Sequence, residues 1–300
     1  MSVAPPPPLS QEAIRAAVAS VPALPSLSTI HGTLRELVAA EEKSTARLAT
    51  VIARDPGLVA RLLQRVNSPE FGLSQKVKSL EEAVIHVGSR TLRDLVMMAP
   101  VVSDMKTVSG GGAASWRALW RHSAGTALLC QELLASAGAG GSDLDYVAGL
   151  VHDVGWIVFK RVFPDHFAEV ERQLSAARNP VPELVERSVL GAPHTMLGGW
   201  YLSSHGQDEL LVKAAMLHTV PEGGGSHERT LAAVQIADQF MASIGCGHLG
   251  DPVPSVRDQW KSASGWRLLF RTGTETTVTF AKRRLEISGP RLLALVDAVC

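Results

Sequence analysis

The feature that most constrains this fold is a set of histidine and aspartate residues that interrupt apolar segments of helical pattern. His152 and Asp153 lie within the run AGLVHDVG, and His122 and Asp238 lie in similarly apolar runs. Burying an imidazole or a carboxylate in such a segment is costly unless the group is paired or ligated. We therefore expect these side chains to converge from separate helices on a shared cluster or on one ion.

The composition predicts a folded chain and argues against a protein that binds nucleic acid. Of the 300 residues, 46% are hydrophobic and 19% are charged, which is ample material for a core. Lysine plus arginine and aspartate plus glutamate both number 29, so the formal net charge is zero. Proteins that bind nucleic acid through phosphate contacts usually carry a basic excess.

Cysteine usage and hydropathy predict a cytoplasmic protein. Cys130, Cys246 and Cys300 are odd in number, far apart and without a C-x-x-C pair, so neither a disulfide framework nor a zinc knuckle is expected. The N-terminus lacks a basic start followed by an apolar run of signal-peptide length. No apolar stretch approaches the roughly 20 residues needed to cross a bilayer, so we expect no membrane association.

Apolar periodicity predicts an all-α fold in two helical parts. Leu58, Leu62 and Val66 belong to one amphipathic stripe, and Ser79 with Glu82 forms a capping-box pattern before another. We interpret the organisation as a flexible proline-rich tail at 1–18, an N-terminal helical bundle subdomain at 19–108, a second helical subdomain at 113–245 and a C-terminal extension at 246–300. The linker between the two subdomains is the glycine run at 110–112.

Two parts of the second half carry specific predictions. A single helix is expected from Ser142 or Asp143 to about Phe163, where Pro164 breaks it. Near 266–280, β-type residues flank a Thr-Gly-Thr turn, which predicts a small β-hairpin, with a frayed helix as the alternative. The last helix is expected at 290–299.

The spaced histidines and aspartates resemble the HD superfamily. In that superfamily a histidine, an adjacent His-Asp pair and a later aspartate hold a divalent metal for phosphohydrolysis. The order His122, His152, Asp153 and Asp238 fits this pattern. The resemblance implies that these four residues are metal ligands for one ion of Mn, Fe, Ni, Co, Zn or Mg, and that Asp153 is the catalytic candidate if any chemistry survives.

A wider set of motifs is similar to the HDOD, or HD-related output domain, family. The resemblance covers about residues 20 to 245 and implies an HD-like second subdomain, a role in bacterial signal transduction and, in general, no catalysis. The motifs that carry it are LPSL at 24–27, VIARDPGL at 51–58, VNS at 66–68, SLEEAV at 79–84, LWRHS at 119–123 and AGLVHDVG at 148–155.

Comparison with the HD-GYP phosphodiesterases of the same superfamily adds candidates and shows departures. His194 and His218 match histidines of that pattern and are candidate second-site or substrate-contacting residues. Thr219 replaces the second histidine of a pair, and Trp156 stands where those enzymes have lysine. Ala118 replaces a glutamate, and PEGGG at 221–225 stands in place of the GYP loop. We therefore expect a second metal to lack ligands.

Three interpretations of the cluster stay open at this stage: an ion-free hydrogen-bonded group, an occupied but non-catalytic metal site, and a working hydrolase. The corresponding function is a signalling module that acts through other signalling proteins. The alternative is a metal-dependent phosphohydrolase with a nucleotide or cyclic-nucleotide ligand. A weaker alternative is DNA binding through a helix-turn-helix at 79–96, which zero net charge disfavours.

Overall fold

Helices form every regular element in the part of the chain that the computed structural model describes, so the predicted all-α class is confirmed. The described residues are 5–21, 63, 66–67, 69–77, 79–87, 113–139, 142–177, 181–247 and 258–299. The glycine linker at 110–112, most of the N-terminal subdomain and the second half of the candidate helix-turn-helix lie outside them.

The α-helices are labelled here in chain order. They are α1 (Gln11–Ala19), α2 (Leu80–Val87), α3 (Ala113–Ser136), α4 (Asp143–Val151), α5 (Val154–Val162), α6 (Pro164–Ala176), α7 (Pro182–Val189), α8 (His194–Ser204), α9 (Glu209–Leu217), α10 (Glu228–Ser243), α11 (Gly265–Leu269) and α12 (Glu275–Val299). Short 3-10 turns cover Pro69–Phe71, Gly225–His227 and Gln259–Ser262.

Local signals set several helix starts. The Ser142 hydroxyl accepts the Asp145 amide at 3.2 Å, and the Asp145 carboxylate accepts the Ser142 amide, which completes a capping box at α4. Ser79 caps α2 by accepting the Glu82 amide at 3.1 Å. Helices α6 and α7 begin at proline, whose missing N–H is not needed in the first turn.

The prediction of a single helix from 142 to 163 is wrong, because the helix is interrupted at His152 and Asp153. Helix α4 ends at Val151 and α5 begins at Val154. The Nδ1 of His152 donates to the Gly149 carbonyl at 2.7 Å. Asp153 lies at φ −100° and ψ 15°, outside the α-helical region. The break turns both side chains toward the same interior space.

The β-hairpin predicted near 266–280 is also wrong, and the last helix starts at Glu275 rather than at Pro290. The Thr274 hydroxyl accepts the Thr277 amide at 3.3 Å at the start of α12. The β-type residues at 276–280 lie in the mostly exposed first turns of α12, whereas Trp266 and Phe270 are buried at α11. Ala281 and Leu285, four residues apart, are buried on one face of α12. Tertiary packing of that face therefore overrides the local β preference.

The flexible tail predicted over 1–18 needs correction in its second half, which forms α1 and packs against the second helical part. The Leu9 amide donates to the Leu190 carbonyl at 2.8 Å, and His166 Nε2 donates to the Pro7 carbonyl at 3.0 Å. Ile14 is fully buried. The apolar side chains of α1 are buried against α8 and α5, which outweighs the solvation expected of a proline-led segment.

Helices α3 and α10 lie against each other, and α4, α11 and α12 pack on this pair. Helix α4 packs on α3, while α8 packs on α5 and α9. The C-terminal extension joins the same body, since Trp260, Trp266 and Leu285 share a core with α3 and α10. Arg121 of α3 also pairs with Asp297 of α12 through two hydrogen bonds. Of the described helices, none combines the length and apolarity needed to cross a bilayer.

Substituting Ile14→Ala tests the docking of α1. We expect a loss of about 2–5 kcal/mol in the free energy of unfolding, because a fully buried isoleucine leaves a cavity. Denaturant unfolding of the full chain measures this loss. Arg15→Ala, an exposed neighbour on the same helix, serves as control. Equal, small effects of both substitutions would contradict the docking.

Candidate metal centre

All six residues predicted for the site lie close together, and they belong to five separate segments of the fold. His122 lies within α3, and His152 and Asp153 occupy the break between α4 and α5. The remaining three are His194, the first residue of α8, His218, which follows α9, and Asp238 of α10. Five of the six are buried, and the Asp238 side chain is 22% exposed.

One half of the cluster joins His122, His152 and Asp238. The Nε2 atom of His122 lies 3.0 Å from Asp238 Oδ1 and 3.3 Å from His152 Nε2. Asp153 Oδ2 lies 3.6 Å from His122 Nε2 and 3.5 Å from His152 Nε2. Two imidazole nitrogens and two carboxylates therefore face one small space.

The other oxygen of Asp153 serves the second half. Asp153 Oδ1 lies 3.6 Å from His194 Nε2 and 3.5 Å from His218 Nε2. One carboxylate thus stands between two pairs of imidazoles, with one oxygen toward each pair. We expected a second metal to lack ligands, but three side chains are in place for one: Asp153, His194 and His218.

The outward-facing nitrogens of the imidazoles are all held by acceptors. Backbone carbonyls accept from Nδ1 of three of them, and because a carbonyl oxygen can only accept, this Nδ1 must carry the hydrogen. In the neutral imidazole, the inward Nε2 then offers a lone pair. The pairs are His122 with Cys246 at 2.7 Å, His152 with Gly149 at 2.7 Å and His218 with Ala214 at 3.1 Å.

The fourth imidazole, that of His194, is held by Glu186, which the sequence reasoning missed. Glu186 Oε2 lies 2.8 Å from His194 Nδ1 and accepts the His194 backbone amide at 2.6 Å. A sequence signal existed, because Glu186 stands three residues before the buried Val189 and four before the buried Leu190. An acid on the apolar face of a helix indicates a buried partner.

The neighbouring carboxylates raise the pKa values of His122 and His194, and so favour positive charge at this centre. Burial lowers the pKa of His122, but the hydrogen bond with Asp238 and the charges of Asp238 and Asp153 outweigh it and leave the pKa above 6.5. Burial lowers the pKa of His194 as well, yet Glu186 raises it to about 9. For His152 burial wins and lowers the pKa to about 4. His152 is therefore neutral at pH 7, whereas His122 and His194 attract a proton or another cation.

Trp156 occupies the place where the HD-GYP pattern has lysine, and it packs on the cluster. Its ring stacks on His194 with centroids 4.6 Å apart and planes 19° apart. The Phe167 ring contacts Trp156 edge-on, with ring centroids 5.9 Å apart. An apolar wall thus replaces a cationic group beside His194.

Close helix contact at Gly155 places His194 beside Asp153. A Cβ atom built on Gly155 would lie 1.8 Å from the His194 carbonyl oxygen, so only glycine permits this approach of α5 to α8. Gly149 plays the same part between α4 and α3, where a Cβ would lie 2.7 Å from Ala127 Cα. The glycines at 149 and 155 therefore control how closely the helices that carry the cluster residues meet.

Comparison with known families agrees with the motifs. A model described as the HDOD domain matches residues 24–221. The chain belongs to the HDOD family. This match covers the described helices from α2 to α9 and includes five of the six cluster residues, while Asp238 lies beyond it.

One relative of this HDOD chain is distant in sequence and longer than the chain. An uncharacterized protein of Treponema pallidum (strain Nichols) is 24% identical over 226 residues, which is 74% of this chain and 42% of the relative. The chain thus spans about two fifths of that relative's length.

Solved structures share the fold of this HDOD chain. A Geobacter sulfurreducens HDOD domain protein with unknown function superposes with a TM-score of 0.69 at 24% identity, covering 96% of this chain and 99% of that one. A Shewanella amazonensis SB2B protein provisionally named a phosphohydrolase gives 0.61 at 21% identity, with 96% and 98% covered. A Marinobacter aquaeolei VT8 protein provisionally named for signal transduction gives 0.60 at 18% identity, with 96% and 65% covered.

Substituting Gly155→Ala tests the contact that brings His194 to Asp153. We expect a loss of about 1–3 kcal/mol in the free energy of unfolding, because the added methyl forces α8 away from α5. Chemical denaturation measures this, with Ser203→Ala on the exposed face of α8 as control. A Gly155→Ala protein as stable as the control would show that α5 and α8 do not meet this closely.

Proposed function

We propose that this chain is an HDOD signalling module whose histidine–aspartate cluster holds a divalent metal ion as part of its fold. The observation that carries the proposal is the orientation of the imidazoles. Each ring is anchored outward through Nδ1 and directs Nε2 toward Asp153 or Asp238. This is the arrangement expected of metal-ligating histidines, whose second nitrogen is held by an outer partner.

The residues present fit such an ion. His122, His152, Asp153 and Asp238 would hold it, and their mixed nitrogen and oxygen donors suit Mn, Fe, Co, Ni or Zn better than the all-oxygen preference of Mg. A divalent ion there would supply positive charge and Lewis acidity. Since the four ligands come from α3, α10 and the break between α4 and α5, binding would link these elements and stabilise the folded state.

Regulation rather than hydrolysis is the role that the surroundings of the cluster support. Five of the six cluster residues are buried, and Asp238 is the most exposed of the six. Trp156 supplies no positive charge for a transferring phosphoryl group, which phosphoryl-transfer sites need. Thr219, in place of a histidine, is engaged by Glu183 at 2.9 Å.

The partner of such a module would be another signalling protein in the cytoplasm. Zero net charge disfavours nucleic acid, and the described cysteines, Cys130 and Cys246, are buried and free, as in a reducing compartment.

The second candidate function is a metal-dependent phosphohydrolase acting on a nucleotide or cyclic nucleotide. One observation favours it: Asp153 directs one oxygen toward each pair of imidazoles, so the donors for two neighbouring ions are assembled. Paired ions are a common arrangement in phosphoester hydrolysis.

Metal content tests the proposed site. Protein purified without chelator should contain about one equivalent or more of a transition metal, and Asp153→Asn should lose most of it, because Asp153 contacts both halves of the cluster. Inductively coupled plasma mass spectrometry measures the content. His86→Ala, an exposed histidine on α2, is the matched control. Less than about a tenth of an equivalent, even after metal is added, would count against the site.

Turnover and partner capture separate the two functions. The metal-loaded chain should not hydrolyse bis-p-nitrophenyl phosphate or cyclic dinucleotides above the rate of the Asp153→Asn variant, because Trp156 replaces the cationic group. The wild-type chain should capture a protein partner from a lysate of its own cell. If the wild type hydrolyses these substrates and Asp153→Asn does not, the proposed regulatory function is wrong and the hydrolase function takes its place.

A further inference from the structure

We propose that Glu186 is a positioning residue that holds His194 as a ligand for a second ion, between Asp153, His194 and His218. This inference rests on the proposed function, since it extends the same cluster. It concerns a residue outside the six predicted from the sequence. Glu186 itself is 0% exposed and lies behind His194, on the far side of the ring from Asp153.

The need for Glu186 follows from where His194 lies in its helix. His152 and His218 both directly follow helices, so their Nδ1 atoms reach carbonyls of the preceding turn, at Gly149 and Ala214. His194 is instead the first residue of α8. The free backbone groups of a helix start are N–H donors, not carbonyl acceptors. An acceptor for His194 Nδ1 must therefore come from another element, and α7 supplies it.

Glu186 holds both the ring and the backbone of His194. Oε1 and Oε2 lie 3.0 Å and 2.8 Å from Nδ1, and Oε2 also accepts the His194 amide at 2.6 Å. Trp156 stacks on the face of the His194 ring, with centroids 4.6 Å apart. Together these contacts fix the ring plane, so that Nε2 faces Asp153 Oδ1 at 3.6 Å.

Charge gives a second reason for a carboxylate at this place. The position near His122 and His152 is bordered by two carboxylates, Asp153 and Asp238. The position near His194 and His218 has only the shared Asp153 among the residues grouped there. A carboxylate behind a metal-ligating histidine raises the basicity of the ligand and fixes its orientation. Glu186 would thus compensate for the carboxylate that the second position lacks.

A purely structural role has to be separated from this one, because the bond from the His194 amide also caps α8. Glu186→Gln makes the separation, since the amide oxygen can still accept the backbone hydrogen bond while the negative charge is lost. Glu183→Gln is the matched control. It lies one turn earlier on α7, and its contact is with Thr219 rather than with a cluster histidine.

The experiment titrates Co²⁺ into the chelator-stripped full chain and follows the ligand-field absorption of bound Co²⁺. We expect two equivalents for the wild type and for Glu183→Gln. Glu186→Gln should keep the first equivalent and bind the second about 10- to 100-fold more weakly, with its absorption band lost or shifted. Its melting temperature without metal should stay close to that of the control.

The outcomes distinguish this inference from the proposed function. A wild-type chain that binds no Co²⁺ would overturn both. One equivalent in the wild type, or two equivalents with Glu186→Gln indistinguishable from wild type, would overturn the role of Glu186 and leave the proposed metal site standing. Loss of both equivalents together with a large drop in the metal-free melting temperature would mark Glu186 as a structural cap and overturn the inference.

Discussion

The arrangement of the helices around the cluster depends on the contacts of the Asp153 carboxylate with four imidazoles. It is buried, and its two oxygens face different pairs of imidazoles, at 3.5 to 3.6 Å. A charge so placed is tolerated only when cations or polarised hydrogen atoms surround it. The Nε2 lone pair of a neutral imidazole cannot supply such a hydrogen, so a protonated histidine or a shared cation would neutralise this carboxylate. The glycines at 149 and 155 allow the helices that carry the histidines to come close to it. The helix break at the His-Asp pair turns both side chains toward the same space.

The surroundings of the cluster in this HDOD chain bear on the choice between the two proposed functions. Trp156 and Phe167 form an apolar wall beside His194, and Thr219 is bonded to Glu183. None of these groups adds a positive charge for a phosphoryl group. Under the proposed function, the cluster would hold a cation without using it in hydrolysis. Binding of a cation by buried side chains from distant helices would be coupled to folding, which would give the proposed signalling role a physical basis.

Sequence reasoning reached His122, His152, Asp153 and Asp238 because such groups in apolar helical runs cannot be buried alone. The resemblance to the HD-GYP pattern added His194 and His218. It failed where the deciding contact is remote. Glu186 was missed because its partner is eight residues away in the next helix, and a lone acid on an amphipathic helix usually faces water. The division of imidazoles between the two oxygens of Asp153 depends on side-chain directions that spacing alone does not specify.

The sequence by itself determined the helical class, because apolar periodicity and capping are local properties. The sequence motifs also identified the six converging residues. Only the tertiary structure decided the break at His152–Asp153, the helical course of α12 through Pro290 and the docking of α1 along α8. For α1 and α12, burial against distant helices outweighed the local preference. The energy of such contacts depends on which faces meet, and that is fixed only once the chain has folded.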